Sequence, residues 1–291
     1  MFSSAKRRFL MARTRKRTYG VFNVVAQPHP ENIYREIFQR SVGRGVKYWG
    51  DYYAAITPLS EIRDDIFTGR LVIWMAVDPD SNVVNLKDFV EEPLSESSDV
   101  VVPEDRGLNS RTFQFAFNTK DHRLFLELVN DERKTVSPRR AETAFQKALE
   151  DAAYEQCEEF RVQIQPTSDS VEKILAIPRL NSVEMRLYRP NSDSIDPEAQ
   201  ELLEEELEGQ NAKEAVKTLK KAPSFKSLML NTRNKLLARA AAFDGLVKGK
   251  GKSDDGKSVE ASTKDYPYVI TRDEDEVGTE AGSIRSVAKQ G

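Results

Sequence analysis

A single cysteine, Cys157, occurs in 291 residues. No disulfide can form within the chain, and with no secretory segment a reducing, cytoplasmic setting is expected. Histidine is almost as scarce: His29 lies between prolines and His122 at the tip of an expected hairpin. Metal centres recruit clustered His, Cys and carboxylates at fixed spacing, and no such set is present. A turn or surface role outweighs a ligand role for either histidine. The apolar run over residues 71–77 falls far short of the ~20 residues that a membrane span needs. Residues 1–10 are too basic and too poor in apolar side chains for a signal peptide. Met11 makes an equally good start, so residues 1–10 read as an upstream extension.

Catalytic patterns are missing as well. The glycines of Gly249-Lys-Gly-Lys252 lack the spacing and the Lys-Ser/Thr pair of a phosphate loop. Cys157 is followed by Glu158 and Glu159. Their charge is expected to raise the thiol pKa and suppress the reactive thiolate. Asp64 and Asp65 with Glu61, or Asp78 with Asp80, are the carboxylates a divalent cation could use. With no Lys or His at motif spacing, they read as acidic turns. No cofactor and no small-molecule substrate is indicated.

What is present is charge. Charged residues make up 31 % of the chain and apolar ones 39 %, a globular balance that leaves room for solvated helices and tails. The net charge of -3 gives the molecule no bulk attraction to nucleic acid or anionic membrane, so any such attraction must come from local clusters.

The pattern along the chain predicts an α+β protein. Its sheet is mixed but mainly antiparallel, with helices on one side, followed by charged C-terminal helices and a terminal β-hairpin. The valine-rich stretch 19–26 opens as a strand, and residues 32–40 follow as a helix. Residues 46–59 and 67–77 read as two long strands. An acidic, serine-rich loop spans 91–109. Two alternating runs, 112–117 and 123–129, form a hairpin. Ser137 and Pro138 signal the cap and first position of a helix. Strands over 160–165 and 182–189 flank a short helix over 168–177. A long helix is expected over 198–222, glutamate-rich and then lysine-rich, and a second over 231–243. Ser253-Asp-Asp-Gly256 marks a hairpin between 246–252 and 258–262. The expected divisions are a basic arm over 1–18, a core domain over 19–190, a helical and hairpin part over 191–270, and a disordered tail over 271–291.

Two stretches point to binding. The N-terminal arm carries Arg13, Arg15, Lys16 and Arg17 with no acidic residue before Gly20. Such an arm suits phosphate contacts. A second basic region gathers Lys217, Lys220 and Lys221 with Arg233, Lys235 and Arg239. The helix over 231–243 has no acidic residue, an excess that helix-dipole complementarity does not explain. A solvated tail and a solvated helix face are the plainer readings of the two. Aromatics at Tyr48, Trp49, Tyr52 and Tyr53 could stack on bases, although alternation turns some of them toward a core.

Several phrases resemble a known family: Tyr19-Gly-Val-Phe-Asn-Val-Val25, Thr112-Phe-Gln-Phe-Ala-Phe117, Ser168-Asp-Ser-Val-Glu-Lys173, Val183-Glu-Met-Arg-Leu187, Val247-Lys-Gly-Lys-Gly-Lys-Ser-Asp-Asp-Gly256 and Ser262-Thr-Lys-Asp-Tyr-Pro267. Together, over most of residues 19–267, they resemble the RexA exclusion proteins of temperate phages and a related uncharacterised family of prophage and bacterial proteins. The resemblance implies a dimeric, DNA-binding protein that excludes superinfecting phage together with a membrane partner. It carries no catalytic motif, so the basic residues named above rest on charge alone. The leading expectation is a non-catalytic, sequence-non-specific duplex DNA binder. The alternatives are a metal-dependent nuclease effector built on Asp64, Asp65 or Asp78, and a protein-interaction module whose charged helices pair acid against base.

Overall fold

The computed structural model describes residues 14–78, 81–94, 103, 105–189, 197–275 and 280–290. The first half of the chain supplies β1 (Thr14–Gln27), α1 (Ile33–Ser41), β2 (Val46–Trp49), β3 (Tyr52–Ile56), β4 (Ile66–Met75), β5 (Asn82–Val84), β6 (Glu91–Pro93), β7 (Leu108–Asn118) and β8 (Arg123–Glu127). The second half adds α2 (Pro138–Tyr154), β9 (Glu159–Ile164), α3 (Ser170–Leu175), β10 (Arg179–Tyr188), α4 (Pro197–Leu207), β11 (Glu214–Lys220), α5 (Thr232–Asp244), β12 (Leu246–Lys252), β13 (Ser258–Ser262), β14 (Val269–Asp275) and α6 (Glu280–Gln290). The fold is α+β, as expected, and every ladder between these strands is antiparallel.

An eight-stranded sheet runs in the order β14-β1-β8-β7-β4-β3-β2, with β9 also on β1. Strand β1 is long enough to carry two partners on one edge. Residues 14–20 pair with β14 and residues 22–27 with β9, while β8 takes the opposite edge. Both faces of β1 are covered. Phe22, Val24 and Ala26 point into the core under α1 and α2, and Tyr19 and Val21 into a smaller core under α6. Burial on both faces explains why residues 19–26 read as a near-continuous apolar run. Strand β7 splits the same way. Phe113, Phe115 and Phe117 fill the larger core, and the small Ala116 leaves room for α6. Helix α2 starts as its sequence signals: Ser137 accepts from the Arg140 amide and Pro138 opens the helix. Ala141, Ala144, Phe145, Ala148, Leu149 and Ala152 then bury one stripe against the sheet.

A second sheet, β11-β10-β12-β13, has a core of its own, covered by α3, α4 and α5. Leu180, Val183, Met185 and Leu187 of β10 and Val247 of β12 face these helices.

Five expectations are corrected here. Residues 46–59 hold two strands rather than one, because Gly50, with φ +51°, turns the chain between them. Strand β10 belongs to the second sheet, not to a core domain ending at residue 190. The helix from 198 ends at Leu207, and a short 3-10 turn leads to left-handed Asn211. Residues 214–220 are then a strand, with Ala215, Lys217 and Leu219 turned inward at a period of two. Residues 271–291 do not form a disordered tail among the described residues, since β14 pairs with β1 and α6 buries Ile284, Val287 and Ala288. Helices therefore cover both sides of the large sheet. No helix among the described residues is long and apolar enough to cross a membrane.

Candidate nucleic-acid interface

The fold separates the cations of the sequence into those with acidic partners and those without. Arg13 lies outside the described residues. From Thr14 onward the arm is the first half of β1, with Arg15 in register with Glu274 and Lys16 with Asp273. Lys16 is exposed. Arg17 is only 8 % exposed. Its guanidinium meets the Glu127 carboxylate at 2.6 Å and that of Asp131 at 3.1 Å. Burial opposes its charge, but the two carboxylates outweigh that and raise its pKa. Burial in turn pushes the Glu127 carboxyl up, against the pull of Arg17. Arg17 is thus a structural ion, closed to phosphate.

The second basic region divides likewise. Arg233 on α5 pairs with Glu205 of α4 at 2.8 Å, and Arg239 with Glu172 of α3 at 2.7 Å. Lys217 faces the helical side of β11 and meets Glu206 at 3.2 Å. The helix has no acidic residue before its last, the buried Asp244, but its neighbours supply the acid. Lys221 donates to the carbonyls of Ala222 and Phe225. Exposed Lys235 sits at a cleft with Glu172 and Met229. Lys220 alone of this group reaches the other side of the second sheet.

Among the described residues, no helix packs on that side. Strand β12 reads Leu-Val-Lys-Gly-Lys-Gly-Lys, and its alternation sends Val247, Gly249 and Gly251 inward and Lys248, Lys250 and Lys252 outward. The glycines are required on the inside. A Cβ on Gly249 would lie 2.5 Å from the Ile174 side chain, and one on Gly251 would overlap the Arg179 carbonyl. The ladders place Lys220, Ser182, Lys250 and Glu260 in one row across the sheet, and Thr218, Glu184, Lys248 and Ser262 in the next. Arg179, Lys252 and Ser258 form a third. Lys250 pairs with Glu260 at 3.2 Å. Among the described residues, no carboxylate forms an ion pair with Arg179, Lys220, Lys248 or Lys252. The lysines of β12 stand about 7 Å apart, two strand residues each.

The face is poor in rings. Tyr188 at its far end is covered by the Arg161 guanidinium, 4.0 Å from the ring centre. The aromatics of residues 48–53 lie on the large sheet instead. Tyr48 is buried, and Trp49 carries the Arg140 guanidinium 4.1 Å above it.

The carboxylates considered for a metal are dispersed. Asp64 meets Lys289 of α6 at 2.5 Å, and the carbonyl of Asp65 holds both the amide and the hydroxyl of Thr119. Asp80 lies outside the described residues. Among those described, no group of three or more His, Cys, Asp or Glu could hold a metal ion. Sequence reasoning passed over Lys248, Lys250 and Lys252, although strict alternation of lysine with glycine is itself a signal for a cationic strand face.

A family model described as a domain of unknown function, DUF4747, matches residues 15–289. The chain belongs to the DUF4747 family. The DUF4747 match begins in β1 and ends in α6, so it takes in both sheets, the lysine face and the C-terminal helix that closes the large sheet. None of the curated proteins matches the chain.

Proposed function

We propose that this DUF4747 protein is a non-catalytic, sequence-non-specific duplex DNA-binding protein that docks the open face of its second sheet on the phosphate backbone. The observation that carries the reading is the outward stripe Lys248, Lys250 and Lys252, flanked by Lys220 and Arg179 on a surface that no helix covers among the described residues. A molecule with net charge -3 needs such a local patch to bind a polyanion. Binding of single strands relies on rings that stack on bases. A ring-poor face in which Arg179, Lys220, Lys248, Lys250 and Lys252 outnumber Glu184 and Glu260 suits duplex phosphates better. Of the cations expected from the sequence, Lys220 lies exposed on this face, whereas Arg17, Lys217, Arg233 and Arg239 serve acidic partners. The resemblance to RexA exclusion proteins supplies the setting: a cytoplasmic homodimer that acts with a membrane partner to exclude superinfecting phage.

The test is a gel-shift panel over duplex DNA, single-stranded DNA and RNA, comparing the parent with K248E/K250E/K252E. The triple reversal is expected to abolish duplex binding at a modest cost in melting temperature, since Lys250 and Lys252 are exposed but Lys248 is half-buried, and the new glutamates at 248 and 250 face Glu184 and Glu260 across the ladders. R233E/R239E is expected to cost stability more than binding. Equal duplex binding by the triple reversal and the parent would contradict the proposal.

A second reading, a protein-interaction surface, has its own observation. Leu86 and Phe89, between β5 and β6, are 81 % and 77 % exposed. If this patch joins two copies of the chain, L86E/F89E converts a dimer into a monomer in sedimentation, and an unchanged mass rules the patch out.

A further inference from the structure

The two histidines of the chain, remote in sequence, meet in space. His29 follows β1, His122 ends the turn between β7 and β8, and their rings pack edge to face with centres 5.6 Å apart. The Tyr34 ring lies 4.5 Å from that of His122. Beside them opens a cleft of about 390 Å³ whose wall includes Glu31, Arg35, Asp65 and Lys120. Its size falls in the range of about 300–1,000 Å³ typical of small-molecule sites.

Two of the wall residues are placed by the fold, Arg35 through its side chain and Lys120 through its backbone. The Arg35 guanidinium donates to the Ser60 carbonyl at 2.8 Å and sits 5.2 Å from the centre of the Phe67 ring. The amide of Lys120 is fixed by the Asn118 side chain at 2.9 Å, and its own ammonium is exposed. Among the described residues, no carboxylate pairs with Lys120. Helix α1 begins at the cleft, and no side chain caps its N-terminus at Asn32. Its positive end therefore adds to the field of Arg35 and Lys120. Glu31 and Asp65 bring acceptors to the same wall.

This lining is zwitterionic. Arg35, Lys120, the His29 imidazole and the helix terminus suit a phosphate dianion, and the two carboxylates suit hydroxyl donors. The volume exceeds what a bare phosphate fills. A metal does not fit, for no ligand group gathers among the described residues. Contact between the imidazoles also leaves no gap for a reacting phosphorus between them, so the geometry serves binding rather than acid–base cleavage. We propose that the cleft binds a pentose phosphate, either free or as part of a nucleoside monophosphate, with the phosphate at Arg35, Lys120 and His29 and the hydroxyls at Glu31 and Asp65. The site is formed by elements of the large sheet and is independent of the DNA-binding face.

With two histidines in the chain, ring proton–carbon NMR signals report on this cleft and no other, and His29→Gln assigns them. The full-length protein is titrated with inorganic phosphate, ribose 5-phosphate, adenosine 5′-monophosphate and adenosine. Saturable shifts of both rings are expected with the two monoesters, which bind more tightly than inorganic phosphate, and none with adenosine. Equal affinities for the two monoesters would mark the free sugar phosphate as sufficient. Tighter binding of the nucleotide would mark the nucleoside monophosphate as the ligand. Lys120→Glu, at an exposed position, is expected to weaken binding by about tenfold or more, the loss of one charge-assisted contact, with an unchanged circular dichroism spectrum. Three results would overturn the proposal: no saturable shift with millimolar monoester, inorganic phosphate binding as tightly as the monoesters, or full affinity in Lys120→Glu.

Discussion

Arg17 stands in the same acid-free run as Arg13 and Arg15, yet the fold gives it two carboxylates, Glu127 and Asp131. Removing one partner of a buried ion pair leaves the other charge desolvated, which costs about 3–5 kcal/mol. Arg17→Met is therefore expected to lower the unfolding free energy by about 3 kcal/mol, read as a shift in urea midpoint. The double change R17M/E127L should recover most of it. An unperturbed midpoint in the single variant would remove Arg17 from the structural account. Such pairing was not legible in sequence, because the partner lies 110 residues away. Cys157 teaches the same lesson from another side. The neighbouring glutamates were expected to raise its pKa, whereas it is burial that pushes the thiol up. A raised pKa keeps the thiol protonated to higher pH in the folded state. The native protein at pH about 8, near the ordinary thiol pKa, should resist iodoacetamide, and the urea-unfolded chain should take one label. Rapid native labelling would contradict the burial.

At the scale of elements, the helix of residues 138–154 and the hairpin of β12 and β13 were legible, because a cap, an opening proline and an Asp-Gly turn are local signals. Strand β11 was not. Glutamates followed by lysines imitate a long dipole-matched helix, and that charge order outweighed the period-two pattern of Ala215, Lys217 and Leu219. The C-terminal segment misled through low apolar content. A strand that pairs by backbone on an edge needs few large side chains, and Ile284, Val287 and Ala288 already show helical spacing. On β12 the division of labour between glycine and lysine is testable. Gly251→Ala forces a Cβ against the Arg179 carbonyl, an overpacking expected to cost about 1–3 kcal/mol. Lys250→Ala, on the open side, should leave stability within about 0.5 kcal/mol. Equal thermal shifts for the two would show that β12 does not present the alternating face described.

Over the whole molecule, the chain builds the large sheet, leaves it to form the second sheet, and returns through β14 and α6 to close the first. The candidate site was only partly readable for the same reason. Cations gain or lose availability according to which layer they join, and layers are set by long-range pairing. Arg233 and Arg239 join the helical layer beside acidic neighbours, whereas Lys220, Lys248 and Lys252 join the open face. The carboxylates named for a metal were read correctly as turn residues at Asp64 and Asp65, which lie at positive φ between Arg63 and Ile66. The most direct test of the DNA-binding account is the salt dependence of duplex affinity, measured by fluorescence anisotropy. Each lysine that neutralises a phosphate contributes about 0.9 to the slope of log affinity against log salt. Replacing Lys248, Lys250 and Lys252 with alanine should lower that slope by roughly 2.7 on every duplex sequence alike. An unchanged slope in the triple variant would contradict the account.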